Sequence, residues 1–308
     1  FEYTTLAALW LFAEQRCSAL VLEIGLGGRL DAVNAVEPEV GLITNVALDH
    51  CDWLGNDVET IAREKAGIMR PAKPLIFGAL HRPQAIDDVA TETGAKLLRA
   101  GQDFSADIAP DGRWSYRGVE LQLAGLERPA LHGEFQIGNA AAVLAVIEAL
   151  SIGGQMRSAT VNDALGSLAL PGRYQRISGA RTWILDVAHN PHAALALAAG
   201  LRKEPQAGKW VAIIGVLNDK DPAGIAAELA PLVDRWIAVP AAAARAIPSR
   251  RLAALIAAVT ERPCLAAHSL DAALEFARET TGEGDGILVT GSFYVVGPAL
   301  EWIRRASA

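Results

Sequence analysis

Three short stretches carry residues whose types and spacing suit phosphate and cation chemistry. In the first, an apolar run at residues 19–22 ends on Glu23 and breaks into Gly25, Gly27 and Gly28. A carboxylate at the carboxyl end of a buried strand, followed by a glycine turn, suits the crevice where α/β sheets bind ligands. The turn departs from a dinucleotide fingerprint, because Leu30 stands where the third glycine belongs. The acid ahead of the glycines would repel a pyrophosphate unless a cation lay between them, so a metal–phosphate site is the better chemical reading. The plainer alternative is a tight turn with Glu23 bonded to backbone.

The second stretch is Asp49-His50, just past a second apolar run at residues 40–46. Asp49 and Asp52 flank the imidazole, and either could orient it. Lys65, further on, sits near the end of an expected helix, where a cation is favoured by the dipole alone. It could touch a metal only with its amine converted to a carbamate. The third stretch is Asp186-Val-Ala-His189-Asn190-Pro191-His192. Asn190 suits an N-cap and Pro191 a first helical position, so strand, turn and helix start form an anion site with Asp186 and His189 at its lip. Ser292, after another strand and before another helix, is a cap or a ligand contact.

These residues need strands and helices to position them. Helix and strand signals alternate from residue 1 to about 100: a helix at the start with Phe1, Leu6, Leu9 and Phe12 as its apolar face, the two runs above, then a helix at 57–66. That helix opens on a capping box from Asn56 to Glu59 and stops at Gly67. Strands at 74–78 and 96–99 flank a helix at 83–93. After Phe104, short alternating runs around glycines predict a small antiparallel sheet. A strongly apolar helix at 135–150 is expected to be buried, and a helix at 157–168 follows. Pro171-Gly172 marks the boundary between domains 1–170 and 171–308. In the second domain, strands at 182–187, 210–215, 236–240 and 286–290 alternate with helices near Pro191, Pro222, Ser249, Asp271 and Val295, the pattern of a doubly wound α/β unit.

The net charge of −7 is dispersed, without the clustered Lys and Arg that nucleic acid requires. No apolar run approaches the roughly 20 residues that span a bilayer. Three scattered cysteines without a CxxC pair argue against a disulfide framework or zinc, and fit a reducing cytoplasm.

Taken in order, LEIGLGGRLDAVN, ALDHCDWLG, REKAGI, HGEFQIGNAAAVLA, LPGR, DVAHNPHA, GVLNDKD and GSF resemble the motifs of folylpolyglutamate synthases and dihydrofolate synthases, members of the Mur ligase superfamily. The resemblance spans nearly the whole chain. It implies a P-loop-type central domain, mostly parallel sheet plus a small antiparallel one, followed by a Rossmann-like C-terminal glutamate ligase domain. It also implies an ATP- and Mg²⁺-dependent ligase, which phosphorylates a carboxylate of dihydropteroate or a reduced folate and lets the amine of L-glutamate attack the acyl phosphate.

By the same resemblance Glu23 and His50 are Mg²⁺ ligands, and Lys65 is the lysine whose carbamate completes the cation site. Asn139 contacts nucleotide, Arg173 reaches the phosphates, and Asp186 contacts ribose. His189 lies in the γ-phosphate and glutamate region, and Ser292 contacts glutamate. Asp31 and Phe1 resemble pterin-site residues. The resemblance further implies a monomer with small-molecule substrates. The family's Gly-x-x-Gly-Lys-Gly-Ser-type phosphate loop is not found in these residues; the resemblance puts it upstream of Phe1, in a segment lost by truncation. This chain alone is therefore expected not to turn over ATP. The competing readings are a Mur-type peptidoglycan ligase and a non-catalytic homologue.

Overall fold

The computed structural model describes residues 1–306 apart from 153, 155 and 205–207, and apart from the Asp52 side chain. The chain divides into two compact units, Phe1–Pro129 with Phe135–Gly166, and Ala130–Glu134 with Ser167–Ala308.

The first unit opens with α1 (Glu2–Glu14), in which no residue is buried. Its apolar side chains point all round rather than forming the expected stripe, and Tyr3 and Trp10 are largely exposed. The run at 19–22, expected as a buried strand, forms no ladder, and Val21 is 98% exposed. A strand is made by its neighbours, and this run has none among the described residues. Three parallel strands, β1 (Gly41–Ile43), β2 (Pro74–Phe77) and β3 (Lys96–Arg99), form a sheet in that order.

Between β1 and β2 lie α2 (Cys51–Leu54) and α3 (Val58–Ala66), and α4 (Gln84–Thr93) joins β2 to β3. Successive residues of β2 point to opposite faces: Leu75 and Phe77 pack with Ala62, Ala66, Ile86 and Val89 of α3 and α4. Ile76 packs with the other core cluster of this unit, around α5 (Phe135–Ala149). That cluster also holds Trp114, Tyr116 and Leu126 of a small antiparallel sheet, β4 (Ser105–Ile108), β5 (Trp114–Arg117) and β6 (Gln122–Leu126). α6 (Ser158–Gly166) packs on β6.

Two expectations are corrected here. The α3 cap is Asp57, whose Oδ1 accepts from the Thr60 amide at 2.8 Å. Starting one residue late places Glu59 out of reach of the capping-box amide, and its carboxylate instead accepts from the Gln84 and Ala85 amides at the start of α4. α5 buries one face only, with Phe135 and Val143 about half exposed.

In the second unit, six strands run in the order β11-β10-β9-β12-β8-β7. They are β7 (Gln175–Ile177), β8 (Thr182–Leu185), β9 (Trp210–Ile214), β10 (Arg235–Ala238), β11 (Cys264–Ala266) and β12 (Gly286–Thr290). All neighbours are parallel except β7 with β8. The central β9 and β12 are buried at every position, as a sheet covered on both faces requires. β7 and β11 were not expected from the sequence, since three residues are too few to display a period.

The helices α7 (Pro191–Leu201), α8 (Pro222–Leu229) and α9 (Ser249–Thr260) pack on one face of this sheet. The other face carries α10 (Leu270–Thr280) and α11 (Phe293–Ala306). The chain leaving β8 therefore turns to one face, and the chain leaving its neighbour β12 turns to the other. Such a divergence opens a crevice at the carboxyl ends of the two strands.

Candidate functional site

In the first unit the glycine turn is held by Asp31. Its Oδ2 accepts from the amides of Gly25 and Leu26 at 3.0 and 2.9 Å, and its Oδ1 from Val33 at 2.9 Å. The Phe1 ring comes to the same place: a Cβ on Gly25 would lie 2.7 Å from Phe1 Cζ and 3.3 Å from Asp31 Oδ2. Phe1 and Asp31, paired by resemblance, are thus brought together on one glycine.

Further along, Gly28 lies so close to α3 that a Cβ would meet the carbonyl oxygens of Glu64 and Lys65 at 2.8 Å. The Arg29 amide donates to the Glu64 carbonyl, its guanidinium pairs with the Glu64 carboxylate, and Asn34 Nδ2 donates to the carbonyls of Arg29 and Gly67. The turn is strapped to the end of the helix that carries Lys65.

A cavity of about 240 Å³ opens between these parts, lined by Gly25, Leu26, Gly27, Asp49, His50 and Lys65 together with Ile24, Ala47, Leu54 and Ile61. Burial lowers the Lys65 pKa below that of an ordinary lysine, and the nearby Asp49 charge only partly opposes the shift. A larger share of neutral amine at a given pH is what addition of CO₂ needs. His50 occupies the left-handed region at φ 52°, ψ 39°, and its amide donates to Asp49 Oδ1 at 2.8 Å. Non-glycine residues in that conformation gather at functional sites, where surroundings compensate the strain. Glu23 is exposed, one residue before the cavity lining begins. The Asp52 side chain, the other proposed orienter of His50, lies outside the described residues. Asn139 is exposed on α5 and donates to Gln136 at 3.1 Å.

In the second unit, Asp186 follows β8 and turns inward. Its Oδ2 accepts from the Tyr174 amide at 2.7 Å and its Oδ1 from Ala188 at 2.8 Å. Burial raises its pKa, against the opposing effect of those two amides and of the Arg173 and His189 charges. His189 Nδ1 lies 2.9 Å from the Val187 carbonyl. A carbonyl only accepts, so Nδ1 carries the proton. Ser292 is 5% exposed and its Oγ accepts from the Tyr294 amide at 3.2 Å, the part of a cap at the start of α11.

Arg173 and His189 both meet Phe293, the neighbour of Ser292 and not one of the expected site residues. The Arg173 guanidinium lies 5.3 Å from the Phe293 ring centroid, and the His189 ring 6.4 Å from it. Tyr174 was missed too; its backbone stands at φ 43°, a conformation that no sequence pattern announces.

The parallel sheets, the glycine turn strapped to a lysine helix, and an acid and histidine at a switch point together fit one class of enzyme. Residues 2–147 match the Mur ligase middle domain and residues 172–293 the Mur ligase glutamate ligase domain. Dihydrofolate synthase/folylpolyglutamate synthase of Escherichia coli (strain K12) is 40% identical over 303 residues, which cover 98% of this chain and 69% of that protein. The Haemophilus influenzae protein of the same name is 32% identical, covering 96% of this chain and 70% of its own.

Among solved structures, Escherichia coli FolC in complex with DHPP and ADP superposes with a TM-score of 0.92 at 39% identity, covering 100% of this chain and 72% of that one. The bifunctional folylpolyglutamate synthase/dihydrofolate synthase with Mn, AMPPNP and L-glutamate bound gives 0.87 at 37% identity, over 99% and 71%. The chain belongs to the dihydrofolate synthase/folylpolyglutamate synthase family of Mur ligases.

Proposed function

We propose that this protein joins L-glutamate to dihydropteroate, to reduced folates, or to both, at the expense of ATP. In this reading residues 1–170 are the central ATP-binding domain and residues 171–308 the glutamate ligase domain, and the protein works as a cytoplasmic monomer on small molecules. Among the described residues no helix is long and apolar enough to cross a membrane.

The observation that carries the reading is Lys65: half buried, of lowered pKa, and set in one cavity wall with Asp49, His50 and the glycine turn. Among the described residues no three His, Cys, Asp or Glu side chains gather as a ready metal site. The donor chemistry nevertheless fits magnesium. Glu23, His50 and a carbamate on Lys65 would supply two oxygen donors and one nitrogen, leaving positions for water and phosphate, as Mg²⁺ prefers. When bound, the cation screens phosphate oxygens against the substrate carboxylate.

The reaction has two steps. The carboxylate of dihydropteroate or folate attacks the γ-phosphorus of ATP and ADP leaves; the neutral amine of L-glutamate then attacks the acyl carbon, the C–O bond to phosphate breaks, and the amine's proton leaves with the phosphate. Asp31 and Phe1 shape the pterin end around Gly25. Arg173 supplies fixed positive charge for the phosphates, Asp186 contacts the ribose, and Asn139 contacts the nucleotide. His189 and Ser292 face the glutamate region.

The test is ADP release by the full-length protein with ATP, Mg²⁺ and L-glutamate, with dihydropteroate and tetrahydrofolate supplied separately. Turnover with dihydropteroate establishes synthase activity, and turnover with tetrahydrofolate alone establishes polyglutamylation. Silence with both would overturn the proposal.

A further inference from the structure

Arg173 is exposed and long, yet its backbone is fixed on both sides. Gly172 stands at φ 71°, where an added Cβ would meet Val296 of α11 at 2.9 Å and Val187 at 3.2 Å, and its carbonyl accepts from the Val187 amide. Tyr174, on the other side, donates its amide to Asp186. Only the side-chain torsions remain to be set; the guanidinium meets Phe293, 5.3 Å from guanidinium carbon to ring centroid, and its charge also acts on the Asp186 carboxylate. That distance lies within the reach of a cation–π contact. The same ring meets the His189 imidazole at 6.4 Å and a 42° tilt, inside the range of aromatic pairs. The ring is 56% exposed, so burial in the core does not account for a phenylalanine at this position.

We propose that Phe293 is a positioning residue: its ring, which the His189 imidazole of the turn after β8 also meets, holds the Arg173 guanidinium and pre-orients that charge toward a bound anion. The inference rests on the reading of Arg173 as a phosphate contact. An arginine held in one orientation loses less freedom when it binds, so the ring acts on binding and positioning rather than on the chemistry of the reacting atoms.

The experiment compares ATP KM and kcat in the full-length protein for F293L, F293W, R173A and the double variant R173A/F293L, with thermal unfolding as a control on folding. Leucine keeps the apolar volume but lacks the ring face; tryptophan keeps the face. F293L is expected to raise ATP KM by about two- to tenfold, the span of ordering costs for one immobilised rotamer-rich side chain. kcat should change less, F293W should restore KM, and F293L should add nothing in the R173A background. R173A with raised KM beside F293L at the wild-type value would overturn the platform alone. The same holds if F293L raises KM equally with and without Arg173, or if F293W fails to restore it. R173A with wild-type KM would overturn the phosphate role of Arg173 and the proposal with it.

Discussion

Asp31 Oδ2 receives the Gly25 amide at 3.0 Å, and the same oxygen also takes the Leu26 amide at 2.9 Å. The carboxylate thereby fixes two residues of the Lys65 cavity wall, Gly25 and Leu26. It acts as an internal peg for the glycine turn whether or not it also meets a pterin.

Asp31→Ala should therefore loosen the turn before it affects any ligand. Three amides lose their acceptor, and since the Gly25 bond is exposed and the other two part-buried, each costs about 0.5–1.5 kcal/mol, the net worth of an ordinary hydrogen bond. Hydrogen exchange at Gly25, Leu26 and Val33 should accelerate in the unliganded protein, with KM for dihydropteroate rising. Unchanged exchange at those amides would leave Asp31 a ligand contact only.

Gly28→Ala should displace the turn from α3. The new methyl would lie 2.8 Å from two backbone carbonyl oxygens, and neither can swing away as a side-chain end would. An overpacking loss of roughly 1–3 kcal/mol is expected, read as a lower thermal midpoint. A midpoint equal to wild type would show that the strap between turn and helix is slack.

Lys65 should carry a carbamate. Its lowered pKa leaves the amine neutral at a lower pH than in an ordinary lysine, so carbamate should accumulate as pH rises through that lowered value. With ¹³C-bicarbonate, the wild-type protein should show a carbamate carbon signal that K65A lacks, and bicarbonate should not restore K65A activity. Full activity in K65A would end the carbamate reading. Glu23→Ala should abolish turnover while leaving the fold intact, because Glu23 is exposed and anchors no core; near-normal turnover would remove it from the cation site.

Asp186 makes a prediction about pH and stability. Burial raises its folded pKa, so the folded protein binds this proton more tightly than the unfolded chain. That contribution is fully present below the unfolded value of about 3.9 and is lost as pH rises through the higher folded value. Relative to D186N, which does not titrate, wild type should lose thermal stability across that window. A wild type that gains on D186N over the same window would contradict the raised value.

Much of the second unit was legible, because its four inner strands are mostly apolar runs bounded by glycine, proline and capping residues. Asn190 caps α7 as expected, its Oδ1 taking the Ala193 amide at 2.8 Å. The first unit was harder. Residues 19–22 have the composition of a strand but no ladder partner, and α1 has apolar residues but no buried face. Both were local patterns read without knowledge of what lies beside them.

The sequence by itself determined the alternation of strands and helices, the family, and the candidate residues, since these rest on local periodicity and on motifs of consecutive residues. Tertiary structure alone decided that Phe1 and Asp31 meet at Gly25, that Glu59 caps the neighbouring helix rather than its own, and that the Phe293 ring meets both Arg173 and His189. Each of these joins residues far apart in the chain, or a helix to its neighbour. Their distances are set by how sheets and helices pack, which no local pattern encodes.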